Sequence, residues 1–252
     1  MVLWKVAAVA EAAAAAGSDR AVRRIQRAVG LEARAEAVGL ARRSVEFNMG
    51  NNETHPSTPR AAVADVSIVH ADFRTYDSGP EAADHPREQF DLITGTPPYF
   101  RVDFSVDAST QSVKRAVIRQ GGMPTAVQSA PARCEFRGGL EAYCEAAVRL
   151  LKVDGTFCVC ENYHNHDRAL AAFAAHRLTL QQLYRIRGRV GRPVLFCVYV
   201  LQMERADKDP PPAVVTVTEL AVRDAHGQWT PEYREQILDY MSIPAGSSSS
   251  GG

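Results

Sequence analysis

Two acids and a proline-containing loop follow predicted strands, and their residue types suit the binding of a nucleotide-like ligand. Glu32 follows the apolar run 28–31, and Asp72 follows the strand pattern at 66–71. The carboxyl ends of parallel strands meet at one edge of a sheet, and an acid there can accept hydrogen bonds from two ribose hydroxyls. This is the role we predict for Glu32; the alternative is a solvated carboxylate at a helix start.

Asp72 suits a second contact with such a ligand. Its carboxylate can accept a hydrogen bond from an adenine amine, with Phe73 beside it as a further contact; the alternative is an ordinary loop cap.

The segment Thr96-Pro97-Pro98-Tyr99 interrupts the chain directly after the strand pattern at 90–95. Paired prolines cannot continue a strand ladder and fix the backbone, so that carbonyl and side-chain oxygens converge on one point. Tyr99 adds an aromatic face on which a planar base or amide can stack. The segment resembles the fourth motif of amino-methyltransferases, an Asx-Pro-Pro-aromatic loop, and this resemblance assigns the catalytic role to residues 96–99.

The resemblance extends along the chain. Several further stretches resemble the tRNA-valine adenine N(6)-methyltransferase family, namely 30–32 with 41–48, 137–141 and 150–155. The segment 224–233 is similar to the closing strands of that family. The resemblance covers most of residues 29–240. It implies S-adenosylmethionine as cofactor and tRNA or another RNA as partner. It also implies cofactor contacts from Glu32, Asp72, Phe73 and Thr96, and substrate contacts from Tyr99, Phe100, Arg189 and Arg192.

Two departures from the family pattern bear on activity. Thr96 stands where the family has Asn or Asp, and its hydroxyl is shorter and offers no amide carbonyl. No glycine occurs before Gly17, although a glycine-rich turn should precede the first helix. We therefore expect the first strand and its turn to be missing, at a cost in cofactor affinity.

The elements that must position these residues alternate between strand and helix patterns. A helix is predicted at 6–16, strands at 28–32, 66–72 and 90–95, and a helix at 35–47. Loops are predicted at 48–60 and 101–133, the second with short helical pieces. A helix is predicted at 140–151, a turn at 152–155, a strand at 156–161 and a helix at 166–176. Strands at 178–187 and 193–203 form a hairpin. The fold predicted is a doubly wound, mostly parallel Rossmann-like α/β sheet with a C-terminal antiparallel hairpin.

Composition limits the class of protein without naming a partner. The chain has 252 residues, 46% hydrophobic, with 29 basic and 29 acidic residues, so any polyanion would need a local basic patch. We predict one domain at 1–240 and a disordered tail at 241–252. No apolar run reaches membrane-spanning length, and the first five residues lack the layout of a secretory signal. The five cysteines suit reduced thiols. We expect a cytoplasmic protein, with an organellar location as the alternative.

Other signals leave alternatives open. The turn with Arg185, Arg187, Arg189 and Arg192 suits RNA phosphates or a solvated hairpin. Cys158 and Cys160 with His164 and His166 match no common zinc spacing, so no metal is predicted. Methylation of a protein glutamine or a small molecule remains an alternative, as does an inactive methyltransferase-like module that binds RNA or protein.

Overall fold

The structure is a computed structural model that describes residues 25–49, 63–76, 89–106, 113–118, 130–204 and 215–235. It divides into two compact units, residues 1–76 with 229–252 and residues 77–228. The strands are β1 (Ile25–Glu32), β2 (Val63–His70), β3 (Phe90–Gly95), β4 (Val102–Val106), β5 (Val113–Ile118), β6 (Leu151–Asn162), β7 (Leu178–Arg187), β8 (Val194–Met203) and β9 (Thr216–Ala221). The helices are α1 (Ala35–Met49), α2 (Ala130–Arg133), α3 (Leu140–Leu150), α4 (His166–Ala175) and α5 (Pro231–Tyr233).

The first unit contains a parallel pair of strands with one helix. β1 and β2 run in register from Ile25 beside Val63 to Glu32 beside His70. The Arg42 guanidinium of α1 donates two hydrogen bonds to a backbone carbonyl of β2 and ties the helix to the sheet. Both strands therefore end at the same edge.

The second unit is built on a five-stranded sheet of order β3-β6-β8-β7-β9. β3 pairs parallel with β6 and β7 pairs parallel with β9, whereas β8 runs antiparallel to both of its neighbours. Gly95 lies beside Val159, and Phe196 at the start of β8 lies beside Asn162 at the end of β6. The end of β3, the end of β6 and the β7–β8 turn consequently share one edge, the carboxyl edge of this sheet.

The core of the second unit lies between this sheet and the helices α3 and α4. Alternate residues of β6 and β8, among them Phe157, Val159, Tyr199 and Leu201, are fully buried against the apolar faces of the two helices. Each such aliphatic or aromatic side chain contributes about 1.5–3 kcal/mol through burial. Their neighbours in sequence point to the opposite face, as the period of two requires.

Three sequence expectations are corrected. The loop predicted at 101–133 contains the antiparallel pair β4 and β5, because short alternating runs such as Val-Asp-Phe-Ser-Val suffice for a strand. The turn predicted at 152–155 belongs to β6. Gly155 serves a close approach there, since a Cβ would lie 2.9 Å from the Phe90 carbonyl oxygen. Finally, residues 224–228 form a turn in which the Asp224 carboxylate accepts from the amides of His226 and Gln228, and the final strand of the sheet precedes it.

The predicted mixture of strands and helices with its C-terminal hairpin is otherwise confirmed. The predicted helix at 6–16, the expectation about a missing first strand and turn, the tail at 241–252 and most of the loop at 48–60 lie outside the described residues. Among the helices that are described, none has the length and apolar character to cross a membrane.

Candidate functional site

The proline-containing loop leaves the sheet at the end of β3, as predicted. Gly95 closes the strand, and a Cβ there would lie 2.6 Å from the Tyr143 ring, so glycine allows α3 to pack against the strand end. Pro97 is fully buried, whereas Thr96 is exposed. The chain then returns at Phe100, whose N–H donates to the Arg133 carbonyl and whose carbonyl accepts from the Glu135 N–H. The loop is thus fixed at both ends.

Tyr99 presents an aromatic ring, and its phenol stays neutral. The ring centroid lies 5.4 Å from that of Phe196, at an interplanar angle of 44°. The Tyr99 hydroxyl lies 3.6 Å from the Cys160 Sγ, and burial, followed by this contact, raises the pKa of Tyr99 well above its usual value of 10. Tyr99 therefore offers stacking surface and cannot act as a base near neutral pH.

A side chain from the turn before α4 holds the loop from behind. Asn165 is buried, and its Nδ2 donates to the Tyr99 carbonyl at 3.2 Å and to Glu161 Oε1 at 3.0 Å. No role for Asn165 was predicted from the sequence, because the contact joins segments 66 positions apart. The end of the loop is therefore held by a side chain of another element.

Glu161 is a fully buried acid near the end of β6. Its Oε1 also accepts from the Asn162 N–H at 2.7 Å, while its Oε2 is buried and has no hydrogen-bond partner within the described ranges. Burial raises the pKa of Glu161 to about 7, against the opposing effect of its two hydrogen bonds. Sequence reasoning missed this residue. The available signal was its position two residues after Val159 and four after Phe157, on the buried side of the strand.

An arginine clamp braces the return of the loop. The Arg168 guanidinium of α4 bonds Glu135 (Nη1 to Oε1, 2.6 Å) and Glu141 (Nη2 to Oε2, 2.6 Å). Burial opposes the charge on Arg168, but its hydrogen bonds to the two carboxylates outweigh burial and raise its pKa further. The clamp joins α3, α4 and the segment that follows α2, and it was also missed, because only the fold brings these residues together.

The predicted cofactor residues Glu32, Asp72 and Phe73 lie in the first unit, at the carboxyl edge of the β1–β2 pair. Glu32 Oε1 accepts from the N–H and Nε of Arg34, at 2.9 and 3.3 Å. The Arg74 guanidinium holds both oxygens of Asp72, at 2.6 Å for its closest contact. Phe73 is partly buried in the turn after Asp72. Both acids thus lie at the same edge of this strand pair, and each has an arginine partner two residues on.

Two of the four arginines in and beside the basic turn pair with Glu219 of β9. Arg187 Nη2 lies 2.8 Å from Glu219 Oε2, and Arg185 Nη1 lies 3.5 Å from Oε1. Arg189 and Arg192 are exposed at the tip, and across the described residues their side chains make no hydrogen bond or ion pair. Of the four arginines, two remain available to an anion.

Of the residues considered as zinc ligands, His166 and Cys160 contact different side chains on opposite faces of the sheet. His166 Nδ1 lies 2.8 Å from the Tyr199 hydroxyl, while Cys160 contacts Tyr99 on the other face of the sheet. Within the described ranges, no three His, Cys, Asp or Glu side chains are placed to hold a metal ion.

Comparison with solved structures identifies the fold. A predicted O-methyltransferase from Agrobacterium tumefaciens superposes with a TM-score of 0.51 at 12% sequence identity, over 94% of this chain and 96% of that one. A TehB-like S-adenosylmethionine-dependent methyltransferase from Corynebacterium glutamicum gives a TM-score of 0.39 at 11% identity, over 80% and 89% of the two chains. No protein-family model and no curated protein sequence matches the chain. The α/β order of elements, the parallel pairing of β3 with β6 and the first of these likenesses together show that the chain has a Rossmann-like methyltransferase fold.

Proposed function

We propose that the protein is an S-adenosylmethionine-dependent methyltransferase that methylates an amine nitrogen of a nucleobase, namely adenine in tRNA. The observation that carries the proposal is the loop at 96–99, which follows β3 at the carboxyl edge of a methyltransferase fold and is fixed at both ends. Ligands bind at this edge in open α/β sheets. Tyr99 and Phe196 provide the aromatic surface that a base requires.

The acids of the first unit suit the proposed cofactor. Glu32 is the last residue of β1 and Asp72 follows the end of the parallel strand β2, where ribose hydroxyls and an adenine amine would find acceptors. Glu32 is partly exposed and its Oε2 has no partner in the part of the chain described, so one oxygen is available without displacing Arg34. When bound, S-adenosylmethionine supplies an electrophilic methyl group on a sulfonium.

The chain itself contributes positioning. The Thr96 hydroxyl and the loop carbonyls can accept hydrogen bonds from the target amine and aim its lone pair, a contribution of orientation. The neutral Tyr99 phenol cannot remove a proton, and Glu161 is fully buried. The methylated nitrogen, positively charged once its new N–C bond forms, therefore releases its proton to water.

RNA is the partner that the carboxyl edge favours. Arg189 and Arg192 lie on the β7–β8 turn, which emerges from the same edge of the five-stranded sheet as Tyr99. Two free guanidinium groups there can contact phosphates while a base reaches the loop.

A second candidate function, an inactive methyltransferase-like module that binds RNA or protein, is favoured by two observations. Arg34 and Arg74 already occupy oxygens of Glu32 and Asp72 and compete with a nucleoside for them. Thr96 in place of Asn or Asp points the same way.

Crosslinking of labelled S-adenosylmethionine distinguishes the two candidates. We expect the wild type to crosslink, Glu32→Ala to lose the signal, and Glu36→Ala, an exposed acid in the first turn of α1, to keep it. The wild type is then incubated with unmodified tRNA, with a glutamine-containing protein extract and with small amines. Transfer to an adenine amine supports the proposal, transfer to protein or small molecules replaces the substrate, and no crosslinking by the wild type favours the inactive module.

A further inference from the structure

The contact between Asn165 and the loop uses both hydrogens of one amide group. The Tyr99 carbonyl oxygen can only accept, so the nitrogen of the Asn165 amide must face it. The second N–H of the same nitrogen donates to Glu161 Oε1. The side chain therefore connects a buried carboxyl group directly to the backbone of Tyr99.

The Glu161 carboxyl has an asymmetric environment. Oε1 receives two donors, from Asn162 and Asn165, whereas Oε2 is buried with no partner among the described residues. A carboxylate would leave negative charge on a desolvated oxygen, which is costly, whereas the neutral acid places its hydroxyl there and keeps Oε1 as acceptor. The geometry thus favours a proton on Oε2.

The charged groups near Glu161 act on its pKa in opposite directions. Arg168 of α4 favours the ionised form of Glu161, and Glu135 of the segment after α2 opposes it. On the β6 and β8 sides, Cys160 and Tyr199 have pKa values that burial raises, so both are neutral near pH 7. Glu161 is then the group of this cluster that changes charge around neutrality.

We propose that Glu161 is a positioning residue for the acceptor loop, acting through the Asn165 side chain on the Tyr99 carbonyl. Its role in methyl transfer rests on the function proposed above. In the neutral state, the Asn165 amide is shared between the Glu161 and Tyr99 oxygens. When Glu161 ionises, the charge on Oε1 attracts the amide more strongly and repels the partial negative charge of the Tyr99 carbonyl, so the Tyr99 ring moves relative to Phe196.

The test follows Phe196 by ¹⁹F NMR, since it contacts the Tyr99 ring and does not titrate. All nine phenylalanines are replaced by 4-fluorophenylalanine, and the Phe196 signal is assigned by its loss in Phe196→Leu. We expect the wild-type signal to shift with a midpoint near pH 7. Glu161→Gln, which resembles the neutral acid, should abolish the shift, and Glu141→Gln, the matched control on the Arg168 clamp, should retain it.

A second variant tests the route. Asn165→Ala keeps the acid, so the ¹³C signal of the Glu161 carboxyl should still titrate while the Phe196 shift is lost. A wild-type signal without a step near pH 7, a step that persists in Glu161→Gln, or an undiminished step in Asn165→Ala would each overturn the proposal. His166 is the competing titrating group nearby, and a step that disappears in His166→Gln but not in Glu161→Gln would assign it to that histidine instead.

The two proposals fail separately. The ¹⁹F titration needs no cofactor or substrate, so absence of S-adenosylmethionine binding by the wild type would reject the proposed enzyme and leave the titration readable. Cofactor binding with no pH-dependent step would reject the role of Glu161 alone. With an identified acceptor, Glu161→Gln should also lose the break near pH 7 in the pH profile of kcat/KM.

Discussion

At the scale of single residues, the buried Glu161 makes stability depend on pH. Its pKa is raised from 4.5 to about 7 in the folded chain, so it contributes its full stability below pH 4.5 and loses it as pH rises toward 7. A shift of this size corresponds to at most about 3–4 kcal/mol.

We therefore expect Glu161→Gln to unfold at a higher urea concentration than the wild type at pH 8, with the gap closing at pH 4.5. The measurement is urea denaturation at both pH values. Glu141 is the opposite case, since its pKa is lowered in the folded chain. Burial raises its pKa, but Arg168 outweighs burial and the net pKa is lowered, so Glu141→Gln should destabilise at pH 8. A wild-type advantage over Glu161→Gln that grows with pH would contradict this assignment.

Two substitutions at Tyr99 test the roles of its ring and its hydroxyl separately. Because the phenol is neutral and its contact is a long one to Cys160 sulfur, Tyr99→Phe should keep kcat/KM for methyl transfer within about threefold, a loss below roughly 0.7 kcal/mol. Tyr99→Ala removes the stacking surface, worth about 1–3 kcal/mol per base, and should lower kcat/KM about 5- to 150-fold. Steady-state kinetics of the two variants decides; equal losses would mean that the hydroxyl acts chemically.

At the scale of elements, the Arg168 clamp joins α3 and α4 to the return of the loop. Removing the arginine leaves Glu135, whose side chain is 9% exposed, without its cation. Unpaired charges of this kind cost about 3–5 kcal/mol when fully buried, and partial exposure of Arg168 reduces this.

Arg168→Met should accordingly destabilise the protein by about 2–4 kcal/mol in chemical denaturation. Arg177→Met is the matched control, since its pairing with Glu204 is exposed and such pairs contribute about 0–1 kcal/mol. Similar effects of the two substitutions would show that the clamp is no stronger than a surface pair.

The β7–β8 turn carries its own prediction. Removing both free arginines in Arg189→Ala/Arg192→Ala should lower the slope of log affinity against log salt for tRNA by about 2, since each phosphate contact contributes about 0.9. Lys152→Ala is the control: Lys152 pairs with Asp91 at the opposite edge of the same sheet. An unchanged slope in the double variant would place the RNA elsewhere.

At the scale of the whole molecule, the proposed cofactor should stabilise the folded state. S-adenosylmethionine at 100 times its Kd should add about 2.7 kcal/mol and raise Tm in a concentration-dependent way. Differential scanning calorimetry across a cofactor series, with Glu32→Ala for comparison, measures this. A Tm independent of cofactor in the wild type would contradict cofactor binding.

Periodicity and strand-ending residues were enough to predict most of the fold. The strand at 90–95 and the hairpin around the basic turn follow from local pattern, and both are confirmed. The predicted loop at 101–133 and the predicted turn at 152–155 were wrong, since the structure has the β4–β5 pair and the start of β6 there. Short alternating runs and a glycine inside a strand resemble loops in a single sequence.

Of the candidate site, the sequence indicated only those parts whose residues are neighbours along the chain. Thr96 to Tyr99 could be recognised as one loop, whereas the bridge from Tyr99 through Asn165 to Glu161 joins positions that only the packed sheet brings together. The arginine partners of Glu32 and Asp72 lie close in sequence, but their conformation depends on the turn after each strand.

The Cys160 thiol beside the Tyr99 hydroxyl gives the molecule a native chemical label at its loop. Burial raises the pKa of Cys160, so little thiolate is present at neutral pH and alkylation is slow. Because the Tyr99 hydroxyl lies 3.6 Å from this sulfur, we expect a planar compound stacked on the Tyr99 ring to slow the reaction further. The rate at which a small maleimide modifies Cys160 should therefore report occupancy of the loop by an unlabelled ligand.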